Sequence, residues 1–83
     1  PNPFNPTTKI SYELPNSEYV SIDIYNLMGR HIKSLVNMNQ DPGHRTIEWN
    51  ATNDSNQPVS AGMYIYTIQA GSFMDTKKMV LLK

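Results

Sequence analysis

Lys9-Ile10-Ser11-Tyr12-Glu13-Leu14-Pro15-Asn16-Ser17-Glu18-Tyr19-Val20-Ser21-Ile22-Asp23-Ile24-Tyr25 alternates apolar and polar side chains through two runs with one interruption. Ile10, Tyr12 and Leu14 hold one parity, against Lys9, Ser11 and Glu13; then Val20, Ile22 and Ile24 alternate with Tyr19, Ser21, Asp23 and Tyr25. Successive side chains of a strand point to opposite faces, so each run reads as a strand with one dry face and one wet face. Pro15 closes the first run because proline cannot donate to a ladder.

The same period continues outward. Arg30–Val36, Arg45–Asn50 with Ile47 and Trp49 inward, Gly62–Ala70 and Phe73–Leu82 are the later strand candidates. No stretch of helical length repeats its apolar residues at three and four. Gly29 in Asn26-Leu27-Met28-Gly29 supplies a positive φ for a tight turn, Asp41-Pro42-Gly43 marks another reversal, and Asn50 to Pro58 is a polar loop. The expectation is an all-β chain of about six or seven short strands, folded as a sandwich of two antiparallel sheets.

At 83 residues the chain is expected to form a single domain, residues 1–83, close to the lower limit for one core. Residues 1–6 (Pro1-Asn2-Pro3-Phe4-Asn5-Pro6) are a Pro-rich lead-in, stiff because proline fixes φ and biases its predecessor to extended backbone. It is expected to space the domain from whatever precedes it and to hold Phe4 against the sandwich. The Pro1-Asn2-Pro3 opening reads as a piece of a longer protein.

Seven cationic and seven acidic side chains balance, which removes the basic excess expected of a nucleic-acid binder. The distribution is uneven: Lys77, Lys78 and Lys83 are three of the seven cations, leaving residues 1–76 with four against seven acids, a net of −3. With no cysteine, neither disulfides nor thiolate metal sites contribute. No apolar run exceeds four residues, so neither a signal peptide nor a membrane-inserting segment is read here.

The last hairpin carries the functional argument. A two-residue Gly71-Ser72 turn would set Asp75 and Lys77 on the face of Ile68 and Tyr66, putting charges toward the core. A three-residue loop, Ala70-Gly71-Ser72, avoids that. Met74, Thr76, Val80 and Leu82 would then share the face of Ile68, Tyr66 and Tyr64, with the Lys78 stem buried and its amine reaching outward. Met63, Ile65, Met79 and Leu81 would lie on the other face. Because side chains alternate, the four apolar residues Met79 to Leu82 cannot all enter one core. The outer set therefore needs a cover or a partner.

Five elements occur in order: Pro1-Asn2-Pro3-Phe4-Asn5-Pro6-Thr7-Thr8, Tyr25-Asn26-Leu27-Met28-Gly29-Arg30, Trp49-Asn50, Ala61-Gly62-Met63-Tyr64-Ile65-Tyr66, and Thr76 to Lys83. Together they resemble the C-terminal sorting domain of type IX secretion cargo proteins, over essentially the whole chain. That family has the immunoglobulin-like fold also seen in flagellar hook-capping proteins. The resemblance implies a non-catalytic sorting signal, joined to an N-terminal cargo domain and recognised by components of the type IX translocon. It also implies passage through the periplasm of a Gram-negative bacterium to the cell surface or outside. The matching recognition positions are Gly62, Tyr64, Lys77, Lys78, Met79, Val80, Leu81, Leu82 and Lys83. Where the family tends to carry glycine, this chain has Ala51 and Asn56, a departure that bears on local turn geometry.

Other chemistry finds less support. His31 and His44 sit at wet or turn positions without a recognisable serine or carboxylate motif, so no enzyme, catalytic residue or cofactor is expected. Glu13, Asp23 and Glu48 alternate outward on separate strands, which does not suit paired-carboxylate chemistry. Asn53, Asp54 and Asn56 offer oxygens, but one carboxylate is few for calcium, and Asx-turn bonding explains them. The competing reading is a non-catalytic accessory module of a secreted protein, either carbohydrate-binding or structural. Tyr19 and Tyr25 face outward on one strand, yet six residues at about 3.3 Å rise put them on the order of 20 Å apart. Self-association through an exposed edge strand rich in Met and Leu is a further expectation.

Overall fold

The computed structural model describes residues 7–83, and the expected lead-in with Phe4 lies outside them. Six strands follow one another: β1 (Thr8–Leu14), β2 (Glu18–Asn26), β3 (His31–Gln40), β4 (Gly43–Trp49), β5 (Gly62–Ala70) and β6 (Phe73–Leu81). They form two antiparallel sheets, β1-β4 and β3-β2-β5-β6. On the immunoglobulin scheme, β1 and β4 stand where strands B and E do, and β3, β2, β5 and β6 where C′, C, F and G do.

Alternation places the core as the opening runs require. Ile10 and Leu14 from β1 meet Val20, Ile22, Val36, Ile68 and Ala70 from the larger sheet, with Tyr12, Leu35, Ile47 and Tyr66 packed around them. A second cluster joins Ile24, Trp49, Ala51, Tyr64 and Leu81. Trp49 is completely buried, its ring edge-on to Tyr64 with centroids 5.1 Å apart, and its Nε1 donates to the Thr52 carbonyl at 2.8 Å. An indole plugging the space between sheets must find its N–H a partner, and the loop supplies one.

β3 runs longer than the expected Arg30–Val36, because the register shifts between Ile22 and Asp23 and between Ile24 and Tyr25 keep the pairing alive to Gln40. Such bulges add twist and let two strands of unequal length stay paired. At the β2–β3 turn Gly29 takes φ +84°, and the Asn26 side-chain oxygen accepts from the Met28 and Arg30 amides at 3.0 and 2.9 Å.

The polar loop between β4 and β5 turns its oxygens onto a lysine. Lys33 Nζ donates to the Asn53 carbonyl at 3.1 Å, Asn56 Oδ1 at 3.2 Å and Thr52 Oγ1 at 3.4 Å. Beside it, the Asp54 amide donates to the Ile32 carbonyl and Asp54 Oδ1 accepts from the Ser34 amide, each at 2.9 Å. The loop thereby caps the outer edge of β3. Ala51 and Asn56 adopt φ +62° and +60°, the left-handed region in which glycine is the natural occupant.

Candidate recognition surface

β5 and β6 are joined by a two-residue turn, since Ala70 pairs with Phe73. Gly71 has φ +58° and Ser72 is not left-handed, the pattern of a type II′ hairpin turn whose twist suits its strands. The expectation of a three-residue loop is therefore corrected. Ile68 pairs with Asp75, Tyr66 with Lys77, Tyr64 with Met79 and Gly62 with Leu81. Charges do stand on the core-facing side of β6, and the penalty that argued against them does not arise. Among the described residues the facing sheet has two strands, too narrow to cover all four opposite, so Lys77 is exposed and Asp75 half-buried. They line an open groove of about 230 Å³ between β6 and β1, with Ile10, Leu14, Ile68 and Phe73 at its base and rim.

The change of register exchanges the parities of β6. Leu81 is only 3% exposed and belongs to the second core cluster, against which Met79 packs half-buried. The outward row is instead Met74, Thr76, Lys78, Val80 and, past the strand, Leu82. Val80 is 57% and Leu82 75% exposed, and Val80 pairs with Met63, itself 47% exposed. Ile65 lies beside them between Tyr25 and Lys78. The outer surface anticipated at Met63, Ile65, Met79 and Leu81 is thus built from Met63, Ile65, Val80 and Leu82. Lys78 does not bury its stem but flanks this patch.

The remaining positions divide by role. Gly62 opens β5 at φ +145°, with no neighbouring atom where a side chain would begin. Tyr64 is buried, and its hydroxyl donates to the Ser60 carbonyl at 2.6 Å. A tyrosine near the start of the F strand bonding back to the preceding chain is the tyrosine corner of immunoglobulin-like sandwiches. The Lys83 ammonium donates to the Val59 carbonyl, which ties the end of the chain to the loop before β5. Gly62 and Tyr64 therefore shape the corner against which Met79 and Leu81 pack, while Lys77, Lys78, Val80 and Leu82 present side chains to solvent.

Beyond the positions the sequence singled out, Met74, 63% exposed, extends the outward row, and Phe73, 58% exposed, stands on the opposite face at the groove. The signal for them was the length of the turn. The tyrosines behave as separate features: Tyr19 donates to Asn37 Oδ1, and Tyr25 lies edge-on to His31 at 5.4 Å. His31 also bridges two carboxylates, Nε2 to Asp23 Oδ1 at 2.8 Å and Nδ1 to Asp54 Oδ2 at 3.4 Å, a cluster made by the β2–β3 pairing and the β4–β5 loop. Among the described residues, no group of three metal-ligating side chains converges.

Sheet order, strand succession and the Tyr64 corner define an immunoglobulin-like sandwich. The sequence pattern of the secretion system C-terminal sorting domain matches residues 1–82, and the chain belongs to that family. It is a C-terminal sorting signal for type IX secretion, a role that is not catalytic and that takes an attached cargo to the cell surface or outside. Among solved structures, FlgD from P. aeruginosa, a hook-capping protein, is similar in fold, with a TM-score of 0.70 and 22% identity over 93% of this chain. The chain spans 60% of that FlgD chain. No curated protein matches.

Proposed function

We propose that export depends on the segment Lys77, Lys78, Met79, Val80, Leu81, Leu82 and Lys83, read together with the corner formed by Gly62 and Tyr64. The supporting observation is the exposed row of Val80 and Leu82 beside Met63. Apolar side chains on a sheet face flanked by a lysine suit a partner that is itself apolar and acidic at its rim. Components of the type IX translocon take that place. Met79 and Leu81 act from beneath, holding the strand in register. Residues 1–83 work as one unit, with the N-terminal cargo attached through the Pro-rich residues 1–6. The route runs through the periplasm of a Gram-negative bacterium.

The test is a periplasm-targeted reporter fused to residues 1–83 in a bacterium with a working type IX system. Deleting Met79–Lys83 is expected to leave the reporter in the periplasm. Undiminished export after the deletion would remove the segment from the signal.

A further inference from the structure

We infer that β6 is a self-complementary edge, and that two copies of the domain pair through it about a two-fold axis at Thr76. The two edges of the larger sheet differ. Asp54 caps β3 through its bonds to Ile32 and Ser34, whereas no described strand or loop pairs with the outer side of β6. In the single copy the Thr76 amide is taken by the neighbouring Asp75 carboxylate at 2.9 Å, a local substitute for a missing strand. A nine-residue unpaired edge, apolar at both ends and charged in the middle, is a template for strand addition.

Charge identifies the occupant. Asp75 and Lys77 lie on the same face, and among the described residues neither has an opposite charge within ion-pair distance. Antiparallel pairing about Thr76 sets Asp75 of each copy opposite Lys77 of the other, twice by symmetry. The same register brings Phe73 opposite Met79 on that face and Thr76 opposite Thr76 on the other, both favourable cross-strand pairs. Centring on Lys77 would oppose lysine to lysine, and centring on Asp75 would oppose carboxylates. Both are destabilised by like charge. Asp75-Thr76-Lys77 read backwards is its own complement, so the strand that best fits β6 is β6.

The test uses the 83-residue chain and three charge variants measured by sedimentation equilibrium, with circular dichroism confirming the fold. The wild type is expected to dimerise reversibly, and Asp75→Lys and Lys77→Asp each to weaken self-association by about tenfold or more. The double exchange Asp75→Lys/Lys77→Asp restores it, because the opposed charges are merely swapped. A mixture of the two single variants forms a heterodimer, since one then carries two lysines and the other two aspartates. Hydrogen exchange should slow at Met74, Thr76 and Lys78 in the dimer. A wild type that stays monomeric at about millimolar concentration overturns the inference. So do single variants that associate as well as the wild type, a double variant that does not recover, or protection that appears on β3 instead. Export of the reporter fusion does not enter these readouts, so they stand or fall apart from the sorting role.

Discussion

The Tyr64 hydroxyl reaches back four residues to the Ser60 carbonyl at 2.6 Å, fastening the start of β5 to the loop that crosses between the sheets. Its ring simultaneously meets Trp49 edge-on, so one side chain joins both sheets and their connection. Tyr64→Phe keeps the ring and removes the donor, leaving a part-buried carbonyl unpaired. The expected loss is about 1–2 kcal/mol, or roughly 4–8 °C in Tm for each kcal/mol in a domain of this size. Urea unfolding with an unchanged m-value checks it. A loss of only a few tenths would show that the corner is held by packing alone.

Ala51 and Asn56 occupy the left-handed region at φ +62° and +60°, the two positions at which the resembling family tends to carry glycine. This chain adopts the left-handed conformation at both positions without glycine. For Ala51→Gly two terms oppose each other. Relief of left-handed strain gives about 1–2 kcal/mol, while loss of a buried methyl costs about 0.8 kcal/mol. The net is a small gain of up to about 1 kcal/mol. Ala51→Val, with a β-branched side chain in the same conformation, is expected to lose on the order of 2–3 kcal/mol. Equilibrium denaturation should rank Gly at or above Ala and both far above Val. A stabilising valine would mean that space, not φ, governs the site.

Lys33 supplies the charge around which the β4–β5 loop closes, with Nζ bonded to Thr52, Asn53 and Asn56. Lys33→Met keeps most of the stem and deletes the ammonium. Part of the site is exposed, so the stability loss is expected to be only about 0.5–1.5 kcal/mol. The local effect should be larger than the global one. Asn53 Oδ1 accepts from the Ser55 and Gln57 amides at 2.9 Å, and those amides should exchange faster in the variant. Unchanged exchange there would show the loop to be self-supporting through its Asx turns.

Much of the fold was legible because alternation is unambiguous wherever one face is buried: Ile10, Tyr12, Leu14, Val20, Ile22 and Ile24 all point inward as their parity requires. The tail was legible only in part. Excluding the two-residue turn assumed that the inner side of β6 is covered, and coverage depends on the width of the opposite sheet. Alternation along β6 cannot report that width. With β1 and β4 the strands opposite among the described residues, Asp75 and Lys77 stay in contact with water, and the parity of Met79 through Leu82 reverses. The clusters around Lys33 and His31 were hidden for a related reason. Each unites a strand with a loop about twenty residues away through geometry that no local pattern encodes.

Leu81 and Leu82 are consecutive leucines at 3% and 75% exposure, so the same substitution at each separates folding from recognition. Leu81→Ala removes a core side chain and is expected to cost about 2–4 kcal/mol, enough to deplete the folded domain. Leu82→Ala should stay within about 0.5 kcal/mol of the wild type. In the reporter fusion, Leu82→Ala and Val80→Ser are nevertheless expected to reduce export while the purified domain melts as before. Leu81→Ala is expected to reduce export only in proportion to the folded fraction, and to recover on lowering the temperature. If Leu82→Ala and Val80→Ser together export normally, the outward row is not the surface the machinery reads, and the Lys77, Lys78 and Lys83 ammonium groups become the part of the segment to alter next.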